Sequence, residues 1–496
     1  MMQQQTGSAA MSLATLLAMP GMAGGELPVT GLALDSRQVR PGDLFLAVPG
    51  LHGDGRRHID AALAAGAVAV LCEAEGFDLP TASAVPVVAI VALRQRLGEL
   101  ADRFNHSPST QLRVTGVTGT NGKSSVCHEL AQLLGSQGDN CAVIGTLGNG
   151  FLGQLAPTRH TTPDVVQLHG LLARLLAQGA DSVAVEVSSH ALDQGRVDGV
   201  RFHEAVFTNL SHDHLDYHGD MQRYGAAKAR LFVWPGLQRV VINLDDPFGR
   251  ELLKRVPEGV EALSCSLERP EADLHAEIRS IAQGELRAWL TTPWGCGELV
   301  TTLLGRFNLA NLLAALAVAA GRGFEFSALL AACRAVRPVE GRMERLGGAG
   351  RPTVVIDYAH TPAALQSVLE ALREHCDGAL WCLFGCGGDR DRDKRPLMGA
   401  IAVRLADRVM VTDDNPRSES PVAITDQILS GVGAAEVLVE HERSRAIEQV
   451  IGQAAAEDWI LVAGKGHERY QEVAGQRHPC NDHAIVEAAL QRYRVA

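Results

Sequence analysis

The sequence predicts an α/β protein built on mostly parallel sheets and divided into three segments. Apolar strand patterns alternate with helical patterns along most of the chain, which is typical of parallel β-α-β units. At 496 residues the chain is too long for one ordinary core, so two to four domains are expected. The polar, proline-containing stretch at 104–111 and the Gly- and Pro-rich stretch near 338 mark the expected boundaries.

The strand patterns place binding sites in the second and third segments. The first segment, residues 1–105, combines short strands, a helical pattern and Pro-Gly turns. The second, residues 106–338, contains the strands SVAVEVS, AVFTNLS and RVVINLD. The third, residues 339–496, contains TVVIDYAH, ALWCLFGCGGD, RVMVTDDNPR and WILVAGKGHE. These four strands end in polar, glycine-containing or charged residues, and ligands bind at the carboxyl ends of parallel strands.

Composition excludes several classes of protein. Hydrophobic residues make up 46% and charged residues 21%, as in soluble globular proteins. A net charge of −12 without a long basic run argues against a nucleic-acid partner. No basic residue precedes Arg37, as a signal peptide would require, and no apolar run is long enough to insert in a membrane. The ten cysteines are scattered, and the closest pair, Cys382 and Cys386, suggests strand packing. We expect a cytoplasmic monomer.

The stretch GVTGTNGKSS, residues 116–125, is typical of a phosphate-binding loop. Its glycines allow the backbone amides to point inward, Lys123 can reach terminal phosphates, and the Ser124 hydroxyl suits Mg²⁺. A strand pattern at about 112–117 precedes it, and a helical pattern follows until Gly135 and Gly138. The glycine spacing departs from the usual G-x-x-x-x-G-K-[ST], which leaves a chance glycine-rich turn as the alternative.

Glu186 ends the strand pattern SVAVEVSSH on the face opposite the valines. A carboxylate there is costly unless it is paired or binds a metal. One strand after the phosphate loop, it suits a Mg²⁺ ligand or a residue that orients metal-bound water. A salt-bridged or solvated glutamate is the alternative interpretation.

Residues 207–220, FTNLSHDHLDYHGD, contain three histidines and three aspartates. Because no cysteine lies nearby, one histidine ligand beside Mg²⁺-ATP is favoured over a zinc site. Several of the other polar residues are expected to be solvated or to cap helices. In the following RYGAAKARLF, position alone suggests that Lys228 is a solvated helical lysine.

An ordered set of motifs resembles the Mur ligase family. The set runs LDSRQVRPGDLFLAVPG, GTNGKSS, TTP at 161–163, EVSSH, NLSHDHLDYHG, AAKARLF, GRFNLANLLAA and DYAHTP, and it covers nearly the whole chain. The family consists of cytoplasmic, ATP-dependent enzymes that add amino acids to peptidoglycan precursors. The motifs DNPR and GKGHE resemble the branch that adds meso-2,6-diaminopimelate to UDP-N-acetylmuramoyl-L-alanyl-D-glutamate. Asp393, where the family often has Gly, and the less acidic PCNDHAI are local departures.

The resemblance implies three domains and one reaction. Residues 1–105 would bind the uridine nucleotide, 106–338 would form the P-loop ATPase domain, and 339–496 would form a Rossmann-like domain for the amino acid. The activity implied is that of an ATP-dependent acid–amino-acid ligase: the D-glutamyl γ-carboxylate takes the γ-phosphoryl group of ATP, and the amine of the amino acid attacks the acyl phosphate. ATP and Mg²⁺ would be the cofactors, with closure of the domains excluding water.

The resemblance also assigns roles to individual residues. It implies catalytic roles for Lys123, Glu186, His214 and Lys228, and a metal site of Ser124, Glu186, His214 and Lys228, the last as a carbamate. The implied ATP contacts are Gly119, Thr120, Asn121, Gly122, Lys123, Ser124, Ser125, Asn308, Asn311, Arg342, Asp357 and His360. The implied contacts with the muramoyl-peptide nucleotide are Ser36, Thr161, Thr162, Ser188, Gln194, Arg196 and Lys228. The implied contacts with diaminopimelate are Arg390, Asp414, Asn415, Arg417, Gly464 and Glu468.

Arg417 carries the prediction of which amino acid is added. Diaminopimelate has one more carboxylate than lysine, and a guanidinium matches a carboxylate with two parallel hydrogen bonds. The alternative is that Arg417 is a surface residue after an Asn-Pro turn. Three rival functions stay open: the same reaction with L-lysine, a folylpolyglutamate-type synthetase, and a P-loop ATPase that drives motion or regulation. The segment DSRQVRPGDLF speaks against the second, and the strand-end motifs of residues 339–496 against the third.

Overall fold

The computed structural model describes residues 10–22, 24–50, 53–76, 85–158, 160–282 and 284–493. The chain divides into two compact units, Met1–Ser264 and Cys265–Ala496. Within the described residues, no helix is both long enough and apolar enough to cross a membrane.

The first unit begins with a parallel four-stranded sheet covered by helices on both faces. The elements of this part of the chain are β1 (Met11–Ser12), α1 (Leu13–Leu17), β2 (Pro28–Val29), β3 (Gly31–Ala33), β4 (Asp43–Ala47), α2 (Ile59–Ala64), β5 (Ala69–Glu73), β6 (Val87–Ile90) and α3 (Leu93–Phe104). The sheet order is β3-β4-β5-β6. Alternate residues of β4 face opposite sides: Leu44 and Leu46 pack with α1 and α3, and Phe45 packs with α2.

The rest of the first unit is a larger, mostly parallel sheet. Its elements are β7 (Arg113–Thr118), α4 (Lys123–Ser136), β8 (Cys141–Gly145), β9 (Gly148–Phe151), α5 (Val165–Ala177), β10 (Ser182–Glu186), α6 (Ser189–Asp193), β11 (Glu204–Phe207), α7 (Leu215–His218), α8 (Met221–Ala229), β12 (Arg239–Asn243), α9 (Pro247–Leu253) and β13 (Glu261–Ser266), whose last two residues fall in the second unit. The predicted strand and helix around the phosphate loop are thereby confirmed as β7 and α4.

Strand β7 lies between its parallel neighbours β10 and β11, and this position assembles the site. The order is β12-β11-β7-β10-β8-β9, with only β9 antiparallel to its neighbour among these six strands. Val117 pairs with Glu186, and Thr118 pairs with Phe207. The loops that follow β7, β10 and β11 therefore leave the same edge of the sheet.

The second unit begins with antiparallel strands and two helices. These are β14 (Leu274–Ala282), β15 (Glu285–Thr292), β16 (Gly295–Thr301), α10 (Arg306–Gly321) and α11 (Phe326–Cys333). Strand β15 pairs with β14 on one side and with β16 on the other. Helix α10 is apolar on nearly all sides and is buried along most of its length, as expected for a helix inside a core.

A doubly wound sheet completes the second unit. The elements of this part of the chain are β17 (Glu344–Gly347), β18 (Thr353–Asp357), α12 (Pro362–Arg373), β19 (Leu380–Phe384), α13 (Lys394–Leu405), β20 (Arg408–Val411), α14 (Pro421–Leu429), β21 (Leu438–Val439), α15 (Arg443–Gln453), β22 (Trp459–Ala463), β23 (Tyr470–Val473), β24 (Gln476–Pro479) and α16 (Asp482–Arg492). The order is β17-β18-β22-β19-β20-β21, and only β17 is antiparallel to its neighbour. Strands β23 and β24 pair with each other in a two-stranded sheet of their own. The four strands expected in residues 339–496 are confirmed.

Helices cover both faces of this sheet. Cys382 and Phe384 of β19 pack with α12, α13 and α14, and Trp381 and Leu383 pack with α15 and α16. Cys386 is also buried in the first of these clusters, so the prediction that Cys382 and Cys386 serve in packing is confirmed.

Candidate active site

The loop between β7 and α4 has the geometry of a phosphate-binding loop. Gly119 and Gly122 have φ values of +155° and +86°. A Cβ at Gly119 would overlap Thr208 Oγ1, so only glycine fits there. Lys123 Nζ donates hydrogen bonds to the carbonyl oxygens of Gly119 and Thr120, each at 2.8 Å. The N-terminus of α4 adds a field that favours anions.

Residues after β11 hold this loop in place. The backbone amide of Thr120 donates to the carbonyl oxygen of Asn209 at 2.8 Å, and that of Asn121 donates to Asn209 Oδ1 at 3.0 Å. Thr208 Oγ1 donates to the carbonyl oxygen of Asn121 at 2.6 Å. Sequence reasoning did not single out Thr208 or Asn209, although their position directly after an apolar strand was a signal.

Glu186 is buried at the end of β10, with 1% of its surface exposed. Its carboxylate accepts two hydrogen bonds from Thr146, which directly follows β8: the amide reaches Oε1 at 2.9 Å and Oγ1 reaches Oε2 at 3.1 Å. The solvated alternative for Glu186 is therefore wrong. Thr146 was not anticipated, because only the pairing of β8 with β10 brings it to Glu186.

Lys228 is also buried, in α8, with 1% of its surface exposed. Its Nζ donates to the carbonyl oxygen of Gly119 at 2.9 Å and lies 4.5 Å from the centre of the Tyr224 ring. Burial, and then the neighbouring charge of Lys123, lower the pKa of Lys228 well below its usual value. The solvated lysine that its position alone suggested is wrong.

The histidines of residues 207–220 have different environments. His214 is half-exposed, adopts a left-handed backbone conformation with φ +53°, and its ring lies 4.9 Å from that of His190. His218 is buried, and its Nε2 lies 3.0 Å from Ser189 Oγ. Asp220 caps α8, as expected of some polar residues in this stretch. Among the described residues, no group of three or more His, Cys, Asp or Glu side chains is arranged to hold a metal ion.

The five residues assigned to the muramoyl-peptide nucleotide between 161 and 196 form one polar network beside Glu186. Thr162 Oγ1 donates to the carbonyl oxygen of Glu186 at 2.7 Å and accepts from the amide of Ser188 at 3.1 Å. Arg196 donates to the carbonyl oxygen of Thr162 at 3.2 Å and, through Nε, to Gln194 Oε1 at 2.8 Å. Thr161 Oγ1 lies 3.0 Å from Thr146 Oγ1. Of the other two residues assigned to this nucleotide, Ser36 begins a short 3₁₀ helix after β3, and Lys228 lies in α8.

In the second unit, Asp357 ends β18 and orders the residues around it. It is buried, and its carboxylate accepts from the amides of Met343 and Ala359, each at 2.8 Å. Burial raises the pKa of Asp357, and the charge of Arg342 partly offsets this effect. The Arg342 guanidinium lies 4.6 Å from the centre of the Tyr358 ring.

The other residues assigned to ATP in this unit lie on two elements. His360 Nδ1 lies 2.8 Å from the carbonyl oxygen of Tyr358, in the turn after β18. Asn308 and Asn311 are buried in the first half of α10. Asn308 Nδ2 donates to the carbonyl oxygen of Leu304 at 2.9 Å, and Asn311 Nδ2 donates to Asn308 Oδ1 at 3.4 Å.

The DNPR and GKGHE segments meet at the carboxyl ends of β20 and β22. Asn415 Nδ2 donates to Glu468 Oε2 at 2.9 Å. Gly464, with φ +111°, faces Asp414: a Cβ there would lie 2.5 Å from Asp414 Oδ2. Lys465, which sequence reasoning passed over, is fully buried and bonds to both Asn415 and Glu468.

Arg417 and Arg390 both lie close to Gly387. A Cβ at Gly387 would lie 2.8 Å from Arg417 Nη1 and 3.8 Å from Cγ of Arg390. Arg417 Nη1 donates to the carbonyl oxygen of Gly388 at 2.7 Å, and Arg417 Nε lies 3.7 Å from Glu472 Oε2. The Arg417 guanidinium therefore lies near the DNPR–GKGHE contact, with the Arg390 side chain close to Gly387, and a guanidinium can bind a carboxylate.

The fold and the site define an α/β protein with a phosphate-binding loop and a second, separate cluster of charged residues at strand ends. Three family models match the chain: "Mur ligase family, catalytic domain" over residues 28–105, "Mur ligase middle domain" over 117–319, and "Mur ligase, glutamate ligase domain" over 341–466. The chain belongs to the Mur ligase family.

Individual relatives agree with this assignment. The chain is 52% identical over 472 residues to the UDP-N-acetylmuramoyl-L-alanyl-D-glutamate–2,6-diaminopimelate ligase of Pseudomonas aeruginosa, covering 95% of this chain and 96% of that protein. A solved structure of an enzyme with the same name has a TM-score of 0.74 and 38% identity, covering 97% of this chain and 99% of that one. The MurF ligase of Thermotoga maritima in complex with ADP shares the fold, with a TM-score of 0.62 and 19% identity, covering 93% and 98%.

Proposed function

We propose that this protein is an ATP-dependent ligase that adds meso-2,6-diaminopimelate to UDP-N-acetylmuramoyl-L-alanyl-D-glutamate during peptidoglycan precursor synthesis. The similarity to the Pseudomonas aeruginosa ligase over nearly the full length of both chains is the observation that carries the proposal. We assign the uridine nucleotide to residues 1–105, ATP mainly to 106–338, and the amino acid to 339–496. Each of the three matched family models falls within one of these segments. We expect the enzyme to act as a cytoplasmic monomer.

In the first step, the D-glutamyl γ-carboxylate attacks the γ-phosphorus of ATP, and ADP leaves. The loop amides and Lys123 bind the phosphates and stabilise the negative charge on them. The network of Thr161, Thr162, Ser188, Gln194 and Arg196 positions the muramoyl peptide next to the end of β10. In the second step, the amine attacks the acyl carbon of the acyl phosphate, and phosphate leaves.

The residues at the start of α4 and at the end of β10 fit a Mg²⁺ site. The Ser124 hydroxyl and the Glu186 carboxylate are both buried and both offer oxygen ligands, the kind that Mg²⁺ prefers. Each Glu186 oxygen accepts one bond from Thr146 and retains further acceptor capacity. We assign His214 to the same site. When bound, Mg²⁺ would neutralise charge on the phosphates.

Lys228 would join this site only after a chemical change, because an ammonium group repels a cation. Its lowered pKa favours the neutral amine, which is the form that reacts with CO₂. The resulting carbamate would replace a positive charge with oxygen ligands. Lys123 and Lys228, which both bond to the carbonyl oxygen of Gly119, would then carry opposite charges. We therefore propose that Lys228 is carbamylated.

In the second unit, we assign ATP contacts to Asn308, Asn311, Arg342, Asp357 and His360. The amino acid binds at the ends of β19, β20 and β22. Arg417 and Arg390 bind its carboxylates, and Glu468 binds the ammonium group on its distal carbon. We assign Asp414, Asn415 and Gly464 to the same amino-acid site.

The test measures ADP and phosphate release with each substrate omitted in turn. We expect phosphate release to require ATP, the muramoyl-dipeptide nucleotide and meso-diaminopimelate together. Steady ATP hydrolysis without the other two substrates would instead support an ATPase that drives motion or regulation.

A further inference from the structure

Lys465, the second residue of GKGHE, is fully buried in the described structure. Its Nζ lies 3.1 Å from Glu468 Oε2 and 3.1 Å from Asn415 Oδ1. A buried ammonium group is costly unless a negative charge and hydrogen-bond acceptors compensate it. Glu468 supplies the charge and Asn415 supplies an acceptor, so the lysine ties GKGHE to DNPR.

Asn415 completes this connection. Its Oδ1 accepts from Lys465 Nζ and from the amide of Glu472 at 2.9 Å, while its Nδ2 donates to Glu468 Oε2 at 2.9 Å. The residue is only 3% exposed. Most of the hydrogen-bonding capacity of its amide is therefore used within the protein.

The bonds from Lys465 and Asn415 to the Glu468 carboxylate are made to a single oxygen. This oxygen, Oε2, accepts from both Lys465 and Asn415, and two donors on one oxygen restrict the rotation of the carboxylate. The Glu468 side chain remains 19% exposed. Part of the Glu468 side chain is thus accessible to a ligand, while Oε2 is fixed by Lys465 and Asn415.

We propose that Lys465 is a positioning residue for amino-acid recognition, which acts by holding Glu468 in the orientation that binds the distal ammonium group. The inference rests on the proposed function, since it requires an amino acid with such a group. Binding groups reach full strength only when supporting contacts fix their orientation. Loss of Lys465 would free Glu468 to rotate and leave its charge without a buried partner.

The experiment compares two amino acids in wild type and Lys465→Met. The amino acids are meso-diaminopimelate and 2-aminopimelate, which keeps the distal carboxylate but lacks the distal ammonium group. We expect Lys465→Met to lower the kcat/KM preference for meso-diaminopimelate by about tenfold or more. The KM values for ATP and the nucleotide should stay within about twofold of wild type. Lys254→Met, the same change at an exposed lysine, is the control.

A double variant covers the case in which Lys465→Met does not fold. Lys465→Met/Glu468→Gln removes both charges of the pair, and its preference should equal that of Glu468→Gln alone, because Lys465 acts only through Glu468. A further drop in the double variant, or an unchanged preference in a folded Lys465→Met, would overturn the proposal. Wild type that uses neither amino acid would refute the proposed function itself and this inference with it.

Discussion

Lys123 and Lys228 donate hydrogen bonds to the same atom, the carbonyl oxygen of Gly119, at 2.8 and 2.9 Å. One lysine belongs to the phosphate loop and the other comes from α8, more than a hundred residues later. Two ammonium groups on one oxygen repel each other, and this repulsion adds to burial in lowering the pKa of Lys228. The two lysines should therefore differ in charge state and in role.

Lys228→Ala should reduce ligation by about 100-fold or more, because a charged ligand next to the phosphates is lost. The helix should tolerate alanine, so the fold should stay intact and the circular dichroism spectrum should match that of wild type. Wild type incubated with ¹³C-bicarbonate should show a carbamate carbon signal by NMR that is absent from Lys228→Ala. Small carboxylic acids could partly restore activity to this variant by occupying the vacated space, whereas bicarbonate should not. Full activity in Lys228→Ala would refute the carbamate assignment.

Lys123→Ala should remove acyl-phosphate formation, since the mobile cation on the terminal phosphates is lost. We expect the rate of ADP formation, measured with the muramoyl-dipeptide nucleotide present, to fall by roughly 100- to 1000-fold. Lys254→Ala serves as the control at an exposed lysine. An undiminished yield of ADP would contradict this role.

Arg417→Ala should weaken discrimination between meso-diaminopimelate and L-lysine. The Arg417 guanidinium is held by Gly388 and lies beside Arg390, so it can meet the extra carboxylate. A charge-assisted bond of this kind is worth about 1.5–3 kcal/mol, so the preference should fall by roughly tenfold or more.

Competition between the two amino acids at equal concentration measures this preference. Arg445→Ala, at an exposed arginine of the same unit, is the control. A wild-type preference for L-lysine, or no change in Arg417→Ala, would show that Arg417 does not select the amino acid.

Glu129→Gln should stabilise the protein at high pH. Glu129 lies in α4 with 2% of its surface exposed, and its Oε2 has no hydrogen-bond partner among the described residues. Burial raises the pKa of Glu129 from 4.5 to about 8. The folded state keeps a proton that the unfolded chain releases, so the free energy of unfolding falls as the pH rises between these values.

Thermal unfolding at several pH values measures this effect. The melting temperature of Glu129→Gln minus that of wild type should increase as the pH rises from about 4.5 to about 8. Glu258→Gln, at an exposed glutamate, should show no such trend. A constant difference for Glu129→Gln would mean that Glu129 is ionised in the folded protein.

The sequence predicted the elements better than their contacts. Strands β18, β19, β20 and β22 and the loop between β7 and α4 were visible because apolar runs and glycines are local signals. The burial of Lys228 and the hydrogen bonds of Lys465 could not be predicted from the sequence. Lys465 meets Asn415 across fifty positions of chain, and only the order of parallel strands brings them together. Residues that support a site can therefore be recognised only in the structure, whereas the motifs that contain them can be recognised in the sequence.

Strand β22 occupies a central position in its sheet, between β18 and β19, although it is the last of the parallel strands to be made. A growing chain that emerges from the ribosome up to residue 458 has β18 and β19 without the strand that joins them. The exposed edges of both strands would remain open to wrong pairing until β22 inserts. Synthesis of β22 thus governs when this half of the protein can fold, and a chain that terminates before β22 would be an aggregation-prone fragment instead of a shortened ligase.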